Sequence, residues 1–296
     1  MPLLHNGAQW HVHKGDCIPH MAEMPEASVD FSVFSPPFPS LYAYSKLPED
    51  IGNSEDLAGE AKLHLGFFYH WLWRVLKPGR VAMVHVAQIP RMKRAGGQGL
   101  FDFRGLNIRL AERAGLIFEG EWSVSKNPQS QAIRTKSREL QFTGLETDRA
   151  RSRGALPDYL LKFVAPGVNA IKIDTAGEVS RNEWIDWAES CWSWRDIRET
   201  DTLNVREGRG KDDTKHICPL QLQVIHRLIK LYTNPGEIVF SPFAGIGSEG
   251  YGAIKLGRRF YGCEIKSEYI AAAKKNLARA ESVRRESERT LFDMKT

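Results

Sequence analysis

The chain has 296 residues, of which 42% are hydrophobic and 26% are charged, a balance that is typical of a globular protein and excludes a disordered one. This length suits one large domain or two ordinary ones, and no apolar run approaches the roughly 20 residues that span a membrane. The net charge of +5 permits an anionic partner but does not require one, since many proteins without such a partner are equally basic.

The cysteines are far apart and form no C-x-x-C pair, which argues against a zinc ribbon and against a disulfide framework. We therefore expect reduced thiols and a cytoplasmic location. The first residues, MPLLHNGAQWHVHKGD, lack the charged start and the apolar core of a secretory signal peptide, which supports the same expectation. The cysteines are Cys17, Cys191, Cys218 and Cys263.

In chain order, the sequence predicts strands that alternate with helices. The N-terminal half is predicted to contain strands at 11–14, 29–34, 80–87, 116–125 and 158–166, helices at about 60–76 and 105–115, and a helix or turn at 18–25. The C-terminal part is predicted to contain a helix at about 219–232, a strand at 238–240, a helix that ends at Leu256, a strand at 259–265 and a last helix from Ser267. This alternation indicates an α/β fold with a doubly wound, mostly parallel sheet.

Residues 169–215 interrupt the alternation and indicate an insertion or a small module. This segment contains four tryptophans within eleven residues, at Trp184, Trp187, Trp192 and Trp194. Such a cluster can form a hydrophobic core or contact nucleic acid, and we favour the core of a small helical module.

Two basic segments, 88–99 and 126–157, combine Arg and Lys with turn residues and are candidates for a phosphate-binding surface. Arginines near the tryptophan cluster are further candidates for contacts with DNA. A basic, turn-rich segment can bind the phosphates of a nucleic acid, although a solvated loop has the same composition. The candidate side chains are Arg91, Lys93, Arg94, Lys126, Arg134, Lys136, Arg138, Arg195 and Arg198.

The stretch FSVFSPPFPS (31–40) ends an apolar run with Ser-Pro-Pro-Phe. Proline has no N–H group and cannot continue a sheet ladder, so the strand is predicted to end at Phe34 or Ser35. Phe38 then lies just beyond the carboxyl end of the strand, at the edge where open α/β sheets bind ligands. A rigid loop that binds nothing would contain the same prolines, so this motif alone leaves the function open.

A second motif, FSPFAGIGSEG (240–250), places a Gly-x-Gly turn between a predicted strand and a predicted helix. Glycines in such a turn let the backbone approach a ligand, and Glu264, at the end of the next strand, can accept hydrogen bonds from ribose hydroxyls. The glycine spacing departs from the dinucleotide fingerprint, and no P-loop Gly-Lys-Ser/Thr follows. An adenosine cofactor without a pyrophosphate fits better, and an ordinary tight turn with a surface glutamate is the alternative.

SPFAGIGSEG resembles the D-P-F-x-G-x-G-T cofactor loop of DNA methyltransferases that use S-adenosyl-L-methionine, and SPPF resembles their catalytic S/D/N-P-P-Y/F/W tetrapeptide. Here the tetrapeptide precedes the glycine loop and a recognition segment lies between them, which is typical of the β class of DNA amino-methyltransferases. The chain is similar to prophage-type members of that class. The resemblance covers nearly the whole chain outside 169–204 and implies their permuted, Rossmann-like methyltransferase fold.

The resemblance also implies how the chain is divided. Residues 1–165 would form the N-terminal part of the catalytic domain, with the SPPF motif and the basic loop 126–157. Residues 166–212 would form a small inserted target-recognition module. Residues 213–296 would complete the catalytic domain with the cofactor loop.

By position, the resemblance assigns catalytic roles to Ser35, Pro36, Pro37 and Phe38. It assigns cofactor contacts to Asp16, Ser35, Pro219, Leu220, Gln221, Ser241, Phe243, Ala244, Gly245, Gly247 and Glu264. One of these departs from the family, which usually has Asp where this chain has Ser241. A serine offers no charge to the ammonium group of the cofactor, so we expect either weaker binding or another group in place of the Asp.

The chemistry implied is methyl transfer to an exocyclic amino group of DNA. Such a nitrogen is a poor nucleophile because its lone pair is conjugated with the ring, and acceptors must hold its hydrogens. The Ser35 hydroxyl and the Pro36 carbonyl can act as those acceptors, and Phe38 can stack on a base that has left the duplex. The sulfonium of the cofactor supplies the leaving group, so no metal is expected. The motif contains no cysteine, which disfavours methylation of a ring carbon.

The target base is open between adenine N6 and cytosine N4. Serine in the tetrapeptide is commoner among the cytosine enzymes, whereas the resemblance to prophage-type enzymes favours adenine, and we lean slightly to adenine. The partner is double-stranded DNA, and a homodimer would suit a palindromic site. An RNA or protein methyltransferase and a DNA-binding protein without catalysis are the alternatives, and the sequence does not show whether a restriction enzyme accompanies the protein.

Overall fold

A computed structural model describes residues 3–4, 7–39, 50–53, 59–91, 99–135, 145–174, 177–204 and 219–293. The strands are β1 (Trp10–Lys14), β2 (Val29–Phe34), β3 (Leu76–Ala87), β4 (Ile89–Pro90), β5 (Leu100–Phe101), β6 (Ile117–Val124), β7 (Asp158–Val164), β8 (Cys191–Trp192), β9 (Ile238–Ser241) and β10 (Arg259–Glu264). The helices are α1 (Cys17–Glu23), α2 (Glu60–Val75), α3 (Phe103–Arg113), α4 (Pro128–Thr135), α5 (Arg181–Trp187), α6 (Leu222–Tyr232), α7 (Ser248–Lys255) and α8 (Ser267–Asp293).

Eight of these strands form one sheet in the order β1-β10-β9-β2-β3-β7-β6-β8. Neighbouring strands are parallel except at β7, which runs antiparallel to both β3 and β6. The alternation of strands and helices in the sequence therefore predicted the α/β class and the mostly parallel sheet correctly. The short strands β4 and β5 pair with each other, apart from the large sheet.

Helices cover both faces of the sheet, which is why all six residues of the central strand β2 are buried. Its side chains enter two different cores, and a register shift between Val29 and Phe31 breaks the strict alternation. Val29 and Phe34 pack in the core formed with α1, α2 and α3, whereas Phe31 and Val33 pack in the core formed with α6, α7 and α8. Helix α6 shows the matching pattern, since its buried apolar residues recur at helical spacing at Val224, Ile225, Leu228 and Ile229.

The described part of the predicted insertion packs against the sheet. Ser180 and Glu183 form a capping box that starts α5, and β8 extends the sheet by pairing with β6. Trp187 and Trp192 are buried in the same core as α6, where the guanidinium of Arg227 lies 4.9 Å from the Trp192 ring centroid. These two tryptophans therefore pack as core residues, but the core is that of the sheet and not that of a separate helical module.

Two local features differ from the sequence pattern. The predicted loop 126–157 contains α4, which is held because the Gln131 side chain exchanges two hydrogen bonds with the backbone of Leu156. Helix α6 begins at Leu222 and not at Pro219, since Gln221 has an extended backbone with φ −63° and ψ 135°. This extended entry is what brings Pro219 and Leu220 to the carboxyl edge of the sheet described next.

Candidate active site

Both sequence motifs lie at one edge of the sheet. Strands β1, β10, β9, β2 and β3 are mutually parallel, so their carboxyl ends share that edge. Helix α2, which follows β2, packs on one face, and α7, which follows β9, packs on the other. The crevice between β2 and β9 is therefore a topological switch point, where open α/β sheets bind ligands. A cavity there is lined by residues from both motifs, including Ser35, Phe38, Gly245 and Glu264.

The glycine loop adopts backbone conformations that favour glycine. Gly245 has φ +51° and Gly247 has φ +83°, both in the left-handed region. A Cβ on Gly245 would meet nothing within 4 Å, whereas a Cβ on Gly247 would lie 3.1 Å from the Cβ of Ala273 in α8. Gly245 therefore leaves space beside the cavity, and Gly247 lets the start of α7 approach α8.

Glu264, at the end of β10, holds this loop. Its Oε2 accepts a hydrogen bond from the Gly245 N–H at 2.8 Å, and its Oε1 accepts one from the Lys266 N–H at 2.9 Å. Burial raises the pKa of Glu264 to about 7, although the backbone hydrogen bonds oppose the shift. A carboxylate has about four acceptor positions, so Glu264 can also accept hydrogens from a diol in the cavity.

Asp16 stands at the neighbouring strand end. It is the N-cap of α1, where its Oδ1 accepts a hydrogen bond from the Ile18 N–H at 2.9 Å. Strands β1 and β10 pair with Lys14 opposite Glu264, so Asp16 and Glu264 belong to adjacent parts of the cavity wall. The sequence predicted both acids as neighbours of one cofactor, and the strand order brings them together.

The described wall of the cavity is acidic. It contains four carboxyl groups and, among the residues that the structure describes, no Lys, Arg or His. A pyrophosphate or triphosphate would meet like charges here without a compensating cation, whereas a ligand that carries positive charge would be attracted. The four carboxyl groups belong to Asp16, Asp50, Glu249 and Glu264.

Ser35 is connected to a polar network that the sequence did not predict. Its hydroxyl donates a hydrogen bond to the His85 carbonyl at 3.0 Å, and its Oγ lies 3.3 Å from His85 Nδ1. His85 Nε2 in turn lies 2.9 Å from Asp158 Oδ2, and Lys126 forms an ion pair with the same oxygen. Burial alone would raise the pKa of Asp158, but His85 and Lys126 outweigh it and lower this pKa to about 2.

This network forms because three strands meet at the same edge. His85 lies near the carboxyl end of β3, Lys126 follows β6, and Asp158 begins β7. Strand β7 is antiparallel, so its first residue lies opposite Ala87, close to the end of β3. The residues are up to 123 positions apart in sequence, and only the strand order reveals that they converge on Ser35.

The aromatic residue of the tetrapeptide lies at the mouth of the site. Phe38 is half-buried, lines the cavity, and has its ring centroid 5.4 Å from that of Phe103. Pro36 and Pro37 also line the cavity, as predicted for a rigid segment after the strand. An aromatic face between solvent and cavity is a suitable platform for a planar ring.

Most of the predicted cofactor residues meet in the cavity. Those that line it are Asp16, Ser35, Pro219, Leu220, Phe243, Ala244, Gly245 and Glu264. Three others stand behind the wall: Gly247 packs on α8, Gln221 caps α6, and Ser241 is fully buried. The residues that sequence reasoning missed are Asp50, Ser248 and Glu249 on the cavity wall, and His85 and Asp158 behind Ser35. Of these residues, only Glu249 could have been suspected from the sequence, because it is an acidic residue directly beside the glycine loop.

The predicted DNA-binding residues have mixed surroundings. Arg91, Arg195 and Arg198 are exposed. Lys126 differs from the expectation of an open basic surface, since its side chain is only 13% exposed and pairs with Asp158. The helix α4 backbone carries Arg134, whose side chain lies outside the described part, and Lys93, Arg94, Lys136 and Arg138 also lie outside the described residues.

Strand directions place the exposed arginines on the same edge as the cavity. Strand β8 is parallel to β6, which is antiparallel to β7 and so runs in the same direction as β3. Arg195 and Arg198 follow β8, and Arg91 follows β4 just after the end of β3. Within the described ranges, no helix is long and apolar enough to cross a membrane, and no cluster of His, Cys, Asp or Glu could hold a metal ion.

Comparison with known proteins points to one family. The type II methyltransferase M.BglII of Bacillus subtilis is 26% identical over 275 residues, which cover 88% of this chain and 67% of M.BglII. The structure of a DNA modification methylase from Thermus thermophilus in complex with S-adenosyl-L-methionine superposes with a TM-score of 0.66 at 21% identity, covering 91% of this chain and 95% of that one. The cytosine-N4-specific PvuII DNA methyltransferase superposes with a TM-score of 0.66 at 16% identity, covering 94% of this chain and 92% of that one.

The structural matches share the Rossmann-like fold described above, which agrees with the fold that the sequence predicted. The family model described as DNA methylase, which covers the N6 and N4 methyltransferases, matches residues 29–275. That span includes the Ser-Pro-Pro-Phe motif, the network behind Ser35, the glycine loop and Glu264. The chain therefore belongs to the DNA methylase family of N6/N4 amino-methyltransferases.

Proposed function

We propose that this protein transfers a methyl group from S-adenosyl-L-methionine to the exocyclic amino group of a base flipped out of double-stranded DNA. The observation that carries the proposal is the shared cavity, in which the Ser-Pro-Pro-Phe segment faces the glycine loop and Glu264. Adenine N6 is the target that we favour, and cytosine N4 is the alternative. The cavity combines a place for an adenosine with a place for a flat, amine-bearing ring.

The cofactor supplies a methyl group on a positively charged sulfur, and the residues of the cavity suit that charge. Glu264 and Asp16 line the cavity, where Glu264 would accept hydrogen bonds from the ribose hydroxyls and Asp16 would lie beside the adenine. The absence of basic side chains from the described wall favours this cation over phosphate-bearing adenosine cofactors. Glu264 and Asp16 thereby orient the adenosine, while Gly245 lets the backbone come close to it.

The chain prepares the amine through two acceptors. Ser35 Oγ and the Pro36 carbonyl hold the amine hydrogens, so the nitrogen lone pair turns towards the methyl group. The Ser35 hydroxyl hydrogen is already directed to the His85 carbonyl, which leaves the lone pairs of Oγ for the amine. The nitrogen would form the new N–C bond as the methyl group leaves the sulfur, which keeps the electron pair of the C–S bond, and the nitrogen would then release one proton to water.

Phe38 stacks on the flipped base. Removal of a base from the duplex costs a few kcal/mol, and base–aromatic stacking returns about 1–3 kcal/mol per base. The half-buried Phe38 ring, braced by Phe103, offers such a face at the cavity mouth. Phe38 thus helps to hold the flipped base, and Ser35 and Pro36 help to orient its amino group for methyl transfer.

The two candidate bases rest on different features. Ser35 in the tetrapeptide favours cytosine N4, because serine is commoner there in the enzymes that this chain resembles. The similarity to prophage-type enzymes favours adenine N6. Both amines offer the same two hydrogens to Ser35 and Pro36, so the acceptors do not discriminate between them.

Sequence-specific recognition is assigned to residues 166–212 and to the exposed arginines of the carboxyl edge. Arg91, Arg195 and Arg198 would contact phosphates around a flipped base, and their exposure at this edge supports that role. Three further points stay predictions. They are that the protein forms a homodimer, that it acts either in a restriction–modification system or as an orphan enzyme, and that it is cytoplasmic.

The decisive experiment is methyl transfer to mixed-sequence duplex DNA with isotopically labelled S-adenosyl-L-methionine, followed by digestion to nucleosides and mass spectrometry. We expect N6-methyladenine or N4-methylcytosine, and the product names the base. Ser35→Ala should sharply reduce the product to a residual rate, whereas Ser282→Ala, on the exposed side of α8, should leave it unchanged. Cofactor binding without transfer to any duplex, RNA or protein would favour a DNA-binding protein without catalysis.

A further inference from the structure

The first turn of α7 presents two polar side chains to the cavity that, among the described residues, form no hydrogen bond or ion pair with another residue, since the Glu249 carboxyl bonds only to its own backbone N–H. Glu249 is 5% exposed and Ser248 is 2% exposed, and both line the cavity. The Ser248 hydroxyl makes no hydrogen bond, and no described Lys, Arg or His lies within 4.0 Å of the Glu249 carboxylate. A buried polar group without a partner is unfavourable, so a bound ligand is the natural source of the missing contacts.

The charge of Glu249 points to a cationic group. Burial raises the pKa of Glu249 to about 8; a hydrogen bond from its own backbone N–H opposes the shift, the nearby Glu264 carboxylate adds to it, and no described cation offsets it. A carboxyl group in this state is stabilised as an anion only when a positive charge enters beside it. An acidic residue at the first turn of a helix interacts favourably with the helix dipole. A solvent-exposed acid would have the same interaction, so the dipole does not explain why Glu249 is buried in the cavity wall.

The other acids of the cavity are already engaged. Asp16 caps α1, Glu264 holds the glycine loop, and Asp50 accepts a hydrogen bond from the Gly52 N–H at 2.9 Å. Ser241 is buried behind the wall and carries no charge. Among the cavity acids, Glu249 is therefore the one whose carboxyl forms no hydrogen bond or ion pair with another described residue, which leaves its charge to a ligand.

The neighbouring groups suit the other half of an amino acid. Helix α7 starts at Ser248 and its N-cap, Gly247, makes no side-chain hydrogen bond, so no cap occupies the first N–H groups of the helix, of which the Glu249 N–H bonds to its own side chain. Helix N-termini and hydroxyl groups bind carboxylates. One turn of helix thus offers an anion for an ammonium group next to donors for a carboxylate.

We propose that Ser248 and Glu249 bind the amino-acid end of S-adenosyl-L-methionine, with Glu249 pairing with its α-ammonium group and Ser248 and the start of α7 contacting its carboxylate. This inference rests on the proposed use of that cofactor. It assigns to Glu249 the charge that Ser241 lacks. The ribose end then lies at Glu264, and the methyl group lies between them, facing Ser35.

Two ligands separate the ends of the cofactor. S-Adenosylhomocysteine has the α-ammonium and carboxylate groups, whereas 5′-methylthioadenosine has neither, and both keep the adenosine. Calorimetry on the full chain should show that Glu249→Gln weakens S-adenosylhomocysteine binding roughly 10- to 100-fold, as expected for a charged hydrogen bond. The same variant should leave 5′-methylthioadenosine binding within about twofold, because that ligand never contacts Glu249.

Two acid variants serve as matched controls. Glu264→Gln should weaken both ligands, because it acts at the ribose, and Asp50→Asn should leave their ratio unchanged. Ser248→Ala should weaken S-adenosylhomocysteine alone, which provides a second test if Glu249→Gln does not fold. Thermal unfolding of each variant reports on folding.

The outcomes distinguish this inference from the proposed function. If wild-type protein binds both ligands and Glu249→Gln lowers both affinities equally or neither, the role of Glu249 is wrong and the adenosine site stands. If Asp50→Asn removes the preference for S-adenosylhomocysteine, the ammonium site belongs to Asp50. If wild-type protein binds neither ligand, the proposed cofactor is wrong and this inference fails with it.

Discussion

At the scale of single residues, His85 determines how Ser35 can act. Because the Asp158 carboxylate lies 2.9 Å from His85 Nε2 and can only accept a hydrogen, we expect the His85 tautomer with a hydrogen on Nε2 and a lone pair on Nδ1. Both groups that His85 presents to Ser35, the carbonyl and Nδ1, are then acceptors. The hydroxyl hydrogen of Ser35 must point towards His85, and its oxygen can only accept from a substrate amine. His85 is in this sense a positioning residue.

We therefore expect His85→Ala to slow single-turnover methyl transfer roughly 10- to 100-fold, the equivalent of about 1–3 kcal/mol of a lost polar contact. Cofactor affinity should change by less than about twofold. In the Ser35→Ala background, the same substitution should have no further effect, because His85 acts through Ser35. His70→Ala, which alters an exposed histidine on α2, is the matched control. An equal loss in both backgrounds would mean that His85 serves only the fold.

Glu264 makes adenosine binding depend on pH. Burial raises its pKa to about 7 in the free protein, so the neutral form is favoured below that pH, whereas ribose hydroxyls donate to the charged form. Affinity for 5′-methylthioadenosine should then rise with pH, by up to about tenfold per unit below 7, and level off above it. Calorimetry between pH 5.5 and 8.5 measures this, with proton release on binding. Glu264→Gln should remove the Glu264 part of the slope, and an unchanged slope in that variant would assign the titration to another group.

The same shift has a consequence for folding. A carboxyl group whose folded-state pKa is raised contributes stability that is fully present below its unfolded value of about 4.5 and is lost as the pH rises through about 7. Thermal unfolding of the free protein should accordingly show that Glu264→Gln gains stability relative to the wild type between pH 5 and 8. No relative gain would mean that Glu264 stays ionised in the folded chain.

At the scale of elements, the glycine loop distinguishes conformation from packing. Gly245→Ala should cost about 1–2 kcal/mol of unfolding free energy, since only its left-handed φ opposes a side chain. Gly247→Ala should cost more, about 2–4 kcal/mol, because its Cβ would also press on Ala273 and push α7 from α8. Denaturant unfolding of the pair tests the order. If both variants lost the same unfolding free energy, α8 would be able to move away from the added Cβ at no energetic cost.

The buried side chain of Arg258 forms an ion pair with Glu178 and so connects the segment around residue 178 to the C-terminal part of the sheet. Arg258 is 1% exposed, donates to both carboxylate oxygens of Glu178 at 2.9 and 2.6 Å, and also contacts Thr233. Glu178→Gln should cost about 2–3 kcal/mol, less than for a fully buried pair because the Glu178 side chain is 27% exposed. Glu288→Gln, which removes the exposed pair with Arg284, should cost less than about 0.5 kcal/mol by the same unfolding measurement. If Glu178→Gln and Glu288→Gln lowered the unfolding free energy by similar amounts, water would be able to take over the hydrogen bonds that Arg258 makes to Glu178.

At the scale of the whole molecule, charge is divided between the cavity and its rim. The described cavity wall is acidic, whereas Arg91, Arg195 and Arg198 are exposed along the same carboxyl edge of the sheet. A cationic cofactor and a polyanionic substrate are thereby directed to different places. The rim has the sign that duplex DNA requires, and the interior has the sign that the cofactor requires.

This division predicts a salt-dependent role for the rim. The double variant Arg195→Ala, Arg198→Ala should weaken duplex binding and reduce the slope of log affinity against log salt by about two, roughly one for each phosphate contact. Arg113→Ala, at the far end of α3, should change neither quantity. Fluorescence anisotropy at several salt concentrations measures both. A slope that is unchanged in the double variant would remove Arg195 and Arg198 from the interface.

Local pattern was enough to predict much of this molecule. The apolar run of β2 predicted a buried strand, and the helical spacing of apolar residues in α6 predicted its buried face. The Pro and Gly residues predicted where strands and helices end. All of these features depend on residues that are neighbours in sequence. Helix α4 was missed because its hold on Leu156 comes from 25 positions away. The interpretation of the tryptophans as packing residues is confirmed for Trp187 and Trp192, which pack against the sheet and not in a separate module, but Trp184 is 57% exposed.

The sequence by itself determined the α/β alternation, the two motifs and the acids Asp16 and Glu264 at predicted strand ends. These depend on local backbone preference and on the rule that parallel strands share a carboxyl edge. Only the tertiary structure brought His85, Lys126 and Asp158 behind Ser35, and only it turned Glu249 into the cavity. Such meetings depend on strand order, on the antiparallel register of β7 and on helix orientation, which no spacing along the chain encodes.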